Sequence, residues 1–387
     1  MSIYKKLVKI ISICLSIILF VSCFGIKGSA ATLENDSDIV AKKTLQVDEK
    51  IPNEVTKYVL DKYLEIIEIA KSYYNEFSDD TEDYSLGVPF VIYSEINKNW
   101  NSVYYYPVIK GDCILLVISV IDTNYGLTLS ASKEFVPQLN EINYITDSNW
   151  IFYEDNNRII ALSEKSTILM SEDSNTTFSV KSDEQKSYTD LLNTISKKIE
   201  QRSPIDVDYI TNLSKNIEFF EEYTPSFSTN TSTSQICQLY NAQGQIGGTC
   251  WAASVATIVN YRLGTGYTAY DVCDKIGVDY AAGTIGDKLY ALSSYGLNYS
   301  RSDSQAPWNT IKNNIAGKYP IAASTFSGED GHAITVYGYR TIGATDYIVF
   351  WNSGEQSTQI VTYLPNGTTY SYNGVTWIWT KSLYYLP

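Results

Sequence analysis

A single histidine, His332, occurs in the whole chain, so any proton transfer through an imidazole must use it. It stands in Gly331-His332-Ala333-Ile334-Thr335-Val336, at the head of an expected strand. Upstream, Gln245-Ile246-Gly247-Gly248-Thr249-Cys250-Trp251 places a thiol where an Ala-rich helix should begin. A cysteine in a first helical turn feels the positive end of the helix dipole, which favours the thiolate. The preceding glycines let backbone approach a substrate closely, and Gln245 supplies an amide donor for a developing oxyanion. Further on, Ile348-Val349-Phe350-Trp351-Asn352 closes an apolar strand with a carboxamide. These parts compose a thiolate–imidazolium pair. The imidazole takes the thiol proton and later hands it to a leaving amine, while Asn352 bonds the other ring nitrogen and fixes the ring. The chain order Cys, His, Asn suits a nucleophile's helix packed on the sheet that carries the other two groups.

The remaining cysteines compete poorly. Cys273 has Asp271 and Asp274 close by in sequence, which disfavours a thiolate, and Cys237 lacks both a glycine approach and a following helix. A disulfide or two buried thiols fits that pair. Cys113, in Cys113-Ile114-Leu115-Leu116-Val117, reads as a buried inert thiol. One histidine excludes sites that need two imidazoles, including most zinc hydrolase motifs. Gly244–Gly248 lacks the Lys-Ser/Thr of a phosphate-cradling loop, and Glu329-Asp330 is too small an acidic group to suggest calcium. No metal and no cofactor is expected. The formal net charge is −14, and it is uneven: residues 235–387 carry 8 basic and 9 acidic side chains, against 21 and 34 before them. Neither part is basic, which argues against nucleic acid as a partner.

The elements that must position these groups can be read from periodicity. Residues after Thr32–Lys50 open a helix of about 25 residues at Pro52-Asn53, with Val55, Val59, Tyr63, Ile66, Ile67, Ala70 and Tyr74 on one stripe. Short β-rich runs follow at Val88–Tyr93, Val103–Ile109, Ile114–Ile121 and Leu127–Ser130, then a short helix near Lys133–Ile142, then Trp150–Tyr153 and Arg158–Leu162. Turn clusters between the runs predict an antiparallel sheet. Ser187–Glu200 reads as helical. Pro225–Ser234 is too polar to order itself and reads as an exposed, cleavable linker. Beyond it, helices are expected at Cys250–Arg262, from Thr268-Ala269-Tyr270-Asp271 (a capping box), at Ile285–Tyr295 and at Pro307–Ala316. Strands are expected at Ile321–Thr325, Ala333–Tyr339, Tyr347–Trp351, Gln359–Tyr363 and Thr376–Trp379. Helices gathered on one side of an antiparallel sheet make the fold class α+β.

On Gln245…Cys250-Trp251, Gly331-His332-Ala333 and Trp351-Asn352, the region 235–387 resembles the papain-like cysteine peptidases, and among them the compact staphopain-type secreted bacterial enzymes. The resemblance implies a papain-like catalytic domain, an endopeptidase activity through Cys250, His332 and Asn352, and Gln245 in the oxyanion hole. Gln245 lies five residues before Cys250 and Gln243 seven, whereas six is usual in papain, so Gln243 stays in reserve. Papain's shielding Trp close after the Asn is missing, which leaves Trp377 or Trp379 to cover the pair. Upstream, Leu86–Tyr93, Tyr105–Ile109, Lys133–Val136 and Trp150–Tyr153 look similar to a staphopain prodomain. Such a prodomain would lie over the cleft as an intramolecular inhibitor. Its acidity meets no basic partner surface, so its docking should be mainly apolar and backbone-mediated.

The first 31 residues read as a secretory signal: Lys5, Lys6 and Lys9, an apolar run Ile10–Gly25, and small residues at Gly28–Ala31. The expected layout is therefore signal 1–31, propeptide 32–224, linker 225–234 and catalytic domain 235–387, in an exported zymogen that acts on proteins or peptides. Two alternatives use the same residues: acyl transfer or deamidation through the same thiolate, or a catalytically dead extracellular binding protein built on this fold.

Overall fold

Val55, Val59, Ile66, Ile67 and Ala70 recur at helical spacing, and in the computed structural model they form the buried face of α1 (Asn53–Ala70). The structure describes residues 51–77, 84–94, 103–145, 150–155, 158–163, 165–172 and 233–386. The expected signal, the helix expected at Ser187–Glu200 and residues 225–232 of the expected linker lie outside the described residues. Helix α1 is 18 residues long rather than about 25. After Ala70 the backbone tightens, with Ser72 and Tyr73 donating to the carbonyls of Ile69 and Ala70. Tyr73 and Tyr74 are thereby turned toward the C-terminal strands.

Among the described residues eight strands follow α1 before residue 173: β1 (Tyr84–Leu86), β2 (Ile92–Ser94), β3 (Val103–Lys110), β4 (Cys113–Thr123), β5 (Gly126–Ser132), β6 (Ile151–Asp155), β7 (Arg158–Leu162) and β8 (Thr167–Glu172). Helix α2 (Val136–Tyr144) sits between β5 and β6. The expected run Val88–Tyr93 is interrupted, retaining only a bridge from Phe90 to Tyr105 ahead of β2. Pro89 has no N–H to contribute to a ladder there. Cys113 is exposed, not buried. It opens β4 beside the tight turn at Gly111, and alternation buries its neighbour Ile114 instead.

From residue 233 the elements are β9 (Thr233–Ile236), α3 (Cys250–Leu263), α4 (Ala269–Ile276), α5 (Ile285–Ser294), β10 (Ser300–Ser302), α6 (Trp308–Ala316), β11 (Ile321–Ser327), β12 (Asp330–Ile342), β13 (Thr345–Asn352), β14 (Ser357–Thr362), β15 (Thr369–Tyr372) and β16 (Val375–Tyr384). Strand β9 begins inside the expected linker and pairs with β12. Capping boxes at Thr268/Asp271 and Thr284/Asp287 start α4 and α5.

The strands make one 12-stranded sheet, ordered β1-β3-β4-β5-β14-β13-β12-β11-β16-β10, with β15 on β16 and β9 on β12. A second sheet, β2-β6-β7-β8, contains one parallel pair, β2 with β6. The join between the upstream and downstream strands is short: Ala131 opposite Ile360 and Ser130 opposite Val361. It closes an edge that would otherwise present unpaired backbone groups. Helix α1 lies at the join, and its apolar face enters one core with Val108, Ile118, Val336, Phe350 and Ile360. A separate core holds α3, α4 and α5 against Ala322 and Ala333. This is mixed helix and mainly antiparallel sheet, hence α+β. Among the described residues no helix is long and apolar enough to cross a membrane.

Candidate active site

The β12–β13 register pairs Ile334 with Asn352. His332 is two residues from Ile334, on the same face of the strand, so it is the diagonal neighbour of Asn352 and within side-chain reach. The two meet: His332 Nε2 and Asn352 Oδ1 are 2.8 Å apart. Both are buried, Asn352 completely. Asn352 Oδ1 also accepts from the Gly354 N–H at 3.1 Å. That second donor fixes which end of the carboxamide faces the ring, because the amide NH₂ could not accept from Gly354. Nε2 must therefore carry the proton, and in the neutral ring Nδ1 is the basic nitrogen. Asn352 Nδ2 is left buried without a partner among the described residues.

Aromatic rings cover this pair. The Tyr372 ring stacks on His332 with centroids 5.2 Å apart, and Trp377 lies at 5.5 Å. A Cβ on Gly354 would come within 2.1 Å of the Tyr372 hydroxyl, so only glycine lets that ring settle over the His–Asn bond. Trp377 is thus the covering Trp. Trp379 is buried elsewhere, its indole N–H donating to the Lys381 carbonyl and the Ser382 hydroxyl.

Cys250 is the first residue of α3. The hydroxyl of Thr249 does not cap the helix; it turns back to the N–H and carbonyl of Ile246. The first-turn amides of Cys250 and Trp251 therefore stay directed at the sulfur, joined by the N–H of Ala333. The thiol thus lies beside the peptide that follows His332. One turn along, Ser254 Oγ donates to the Ile334 carbonyl at 3.2 Å and meets Thr335 Oγ1 at 2.8 Å, locking the helix along β12. Burial pushes the Cys250 thiol up, while the three amides and the Lys288 ammonium pull it down. The helix start alone does not produce a low thiol pKa here.

Gln245 and Gln243 part company. Gln245 is tied to the residue after Asn352: its N–H donates to the Ser353 carbonyl at 3.0 Å, and Ser353 Oγ donates to its Oε1 at 3.2 Å. Gln243 Nε2 instead donates back to Asn241 O, and Trp351 Nε1 donates to the Gln243 carbonyl. Gln243 shapes the loop, and Gln245 stands at the site. Cys237 and Cys273 are buried and unpaired as thiols, and burial raises both. No group of His, Cys, Asp or Glu that could hold a metal occurs among the described residues.

Residues 230–366 match the family described as papain-like cysteine protease AvrRpt2. This part of the chain is similar to the papain-like cysteine peptidases. All four candidate residues fall inside the matched stretch, whereas Tyr372 and Trp377 lie beyond it. No curated protein matches the chain.

Tyr372 and Lys288 are site neighbours that sequence reasoning passed over. Tyr372 had a signal: Asn373-Gly374, both with positive φ, is a hairpin turn that places it at a strand end. Lys288 looked like any solvated helix lysine.

Proposed function

We propose that the chain is a secreted cysteine endopeptidase made as a zymogen, with Cys250 as nucleophile, His332 as general base and acid, Asn352 as the residue that orients the ring, and Gln245 as oxyanion donor. The observation that carries this reading is the buried His332 Nε2–Asn352 Oδ1 bond. It commits one ring nitrogen to donation and leaves Nδ1 for the thiol proton. The sulfur would attack the scissile carbonyl as Nδ1 takes its proton, giving a tetrahedral oxyanion. With Gln245 Oε1 engaged by Ser353, Nε2 is the end able to donate to that oxyanion, alongside the Cys250 N–H. The imidazolium then returns its proton to the departing amine. Water, deprotonated by the same ring, releases the acyl group from sulfur.

The zymogen part of the proposal is supported by how the upstream segment grips the β15–β16 hairpin. Tyr105 Oη and Ser371 Oγ are 2.9 Å apart, Ser130 Oγ accepts from the Ser371 N–H at 3.2 Å, and Glu134 Oε1 accepts from the Asn373 N–H at 2.5 Å. Those contacts flank Tyr372, the ring stacked on His332. Residues 32–224 are accordingly read as the propeptide and 235–387 as the catalytic domain. Export through residues 1–31 and the staphopain-type relationship belong to the same proposal.

The test is expression of the chain without residues 1–31, as wild type and as Cys250→Ala. Casein hydrolysis and self-cleavage near residues 205–234 are expected of the wild type and absent from the variant. Cleavage that survives Cys250→Ala refutes the assignment.

A further inference from the structure

Lys288 is a lysine in an unusual place. It lies on α5, is 2% exposed, and its Nζ donates to the Ser324 hydroxyl and to the Ala323 carbonyl at 3.4 Å. Among the described residues no carboxylate pairs with it. An ammonium so buried is costly unless an opposite charge lies near. The charged groups that face it are the Cys250 sulfur from α3 and Lys381 from β16, and only the sulfur can become negative.

Register explains the proximity. Ser324, which holds the amine, is the cross-strand partner of Ala333, and the Ala333 N–H points at the Cys250 sulfur. Helix α5 is held against α3 at its start. Trp251 Nε1 donates to the Ala281 carbonyl at 2.9 Å, and a Cβ on Gly283 would lie 2.5 Å from the Trp251 ring. The residue next to the nucleophile thus clamps the turn that launches the helix carrying Lys288.

We propose that Lys288 is a positioning residue for the charge on the nucleophile, a fixed cation that stabilises the Cys250 thiolate in addition to the imidazolium of His332. This rests on Cys250 being the nucleophile and adds a residue to that reading. The effect is reciprocal. Burial pushes the Lys288 amine down to about 8, and the Cys250 sulfur is what holds it up. At neutral pH the amine therefore remains mainly protonated. Besides His332, Tyr370 on β15 faces the sulfur, and its phenol is held far above its ordinary value by burial and stays neutral. Ser324 and Ala323 on β11 contribute no charge.

The experiment measures the pH dependence of Cys250 alkylation by iodoacetamide in the full chain. Peptide mapping separates Cys250 from the exposed Cys113, and wild type is compared with Lys288→Met, Lys288→Gln and His332→Ala. Lys288→Met removes the charge, and its melting temperature should stay level or rise, since a buried ammonium is lost. Lys288→Gln keeps a donor for Ser324 without a charge, and it serves where the Met variant does not fold. Both are expected to move the alkylation midpoint up by about one pH unit, as loss of a nearby opposite charge does. Lys288→Arg should recover part of that shift. An unchanged midpoint in the folded Lys288 variants, with a raised one in His332→Ala, overturns the role of Lys288 and leaves the catalytic pair standing. A midpoint moved by neither Lys288 nor His332 substitution overturns both.

Discussion

Asn352→Ala removes one acceptor that serves two donors, and its consequences can be worked from the geometry. In the wild type Oδ1 accepts from His332 Nε2 at 2.8 Å and from the Gly354 N–H at 3.1 Å. When the ring becomes imidazolium, the first of these is a hydrogen bond to a charged group, worth about 1.5–3 kcal/mol. At about 1.4 kcal/mol per tenfold, its loss should lower kcat/KM by about 10- to 150-fold. Stability should fall by about 1–3 kcal/mol, the cost of one net orphaned donor. The variant leaves both the His332 Nε2–H and the Gly354 N–H without their acceptor, while it deletes Asn352 Nδ2, a buried donor with no partner among the described residues; each such orphan costs about 1–3 kcal/mol, so one more is left than before. The two terms oppose. The assay is steady-state hydrolysis of a fluorogenic peptide by the processed enzyme, with a thermal melt of the same preparation. A fall in kcat/KM measured where the variant remains folded, with a melt lowered by only several degrees, supports the orienting role. Activity within twofold of wild type refutes it.

Trp377→Leu opens the His332–Asn352 bond to water from one side, and weakening one buried hydrogen bond by about 1 kcal/mol should lower kcat/KM about fivefold with KM unchanged. Gly283→Ala drives a methyl into the Trp251 ring and should cost about 1–3 kcal/mol, read as a melting temperature lower by several degrees. Glu134, from the upstream segment, and Glu355, three residues past Asn352, form a desolvated carboxyl pair. Desolvation raises both, and the charge of Glu355 raises Glu134 further. Carboxyls raised in the folded state bind more protons there than when exposed. Their stabilising contribution is thus complete below the ordinary 4.5 and is lost as pH rises through the raised values. The full chain should melt lower as pH rises from about 5 to about 8, and Glu134→Gln, which keeps an acceptor for Asn373, should flatten that slope. A slope identical in the variant would remove the pair as its source.

Much of the site was legible because its chemistry is local. Cys250 at a helix start, the sole His332 and the strand-end Asn352 can each be placed from neighbouring residues, and the β12–β13 register then brings the last two together. Capped helices such as α4 and α5 were equally readable, since a Thr and an Asp three residues apart carry their own start signal. What escaped depends on partners distant in sequence. The covering role of Tyr372 arises from a β15–β16 hairpin folded back over β12, and the register that seats Lys288 behind Ala333 joins α5 to β11. Cys113 misled for a related reason: Cys-Ile-Leu-Leu-Val is apolar throughout, yet the turn at Gly111 sets the phase of alternation and turns the thiol outward. The upstream segment meets the downstream strands along a short seam. Backbone pairing at Ala131 and Ser130 and an apolar core hold most of it, with Arg340 to Glu68 at 3.1 Å as a minor ionic contact.

The most direct test of the central claim, a Cys250 thiol served by His332, is covalent labelling of the chain without residues 1–31 with a thiol-directed epoxide, in a Cys113→Ser background that removes the exposed thiol. Peptide mapping should find one adduct, on Cys250, and His332→Ala should abolish it. An adduct on Cys237 or Cys273, or undiminished labelling of Cys250 without His332, would contradict the account.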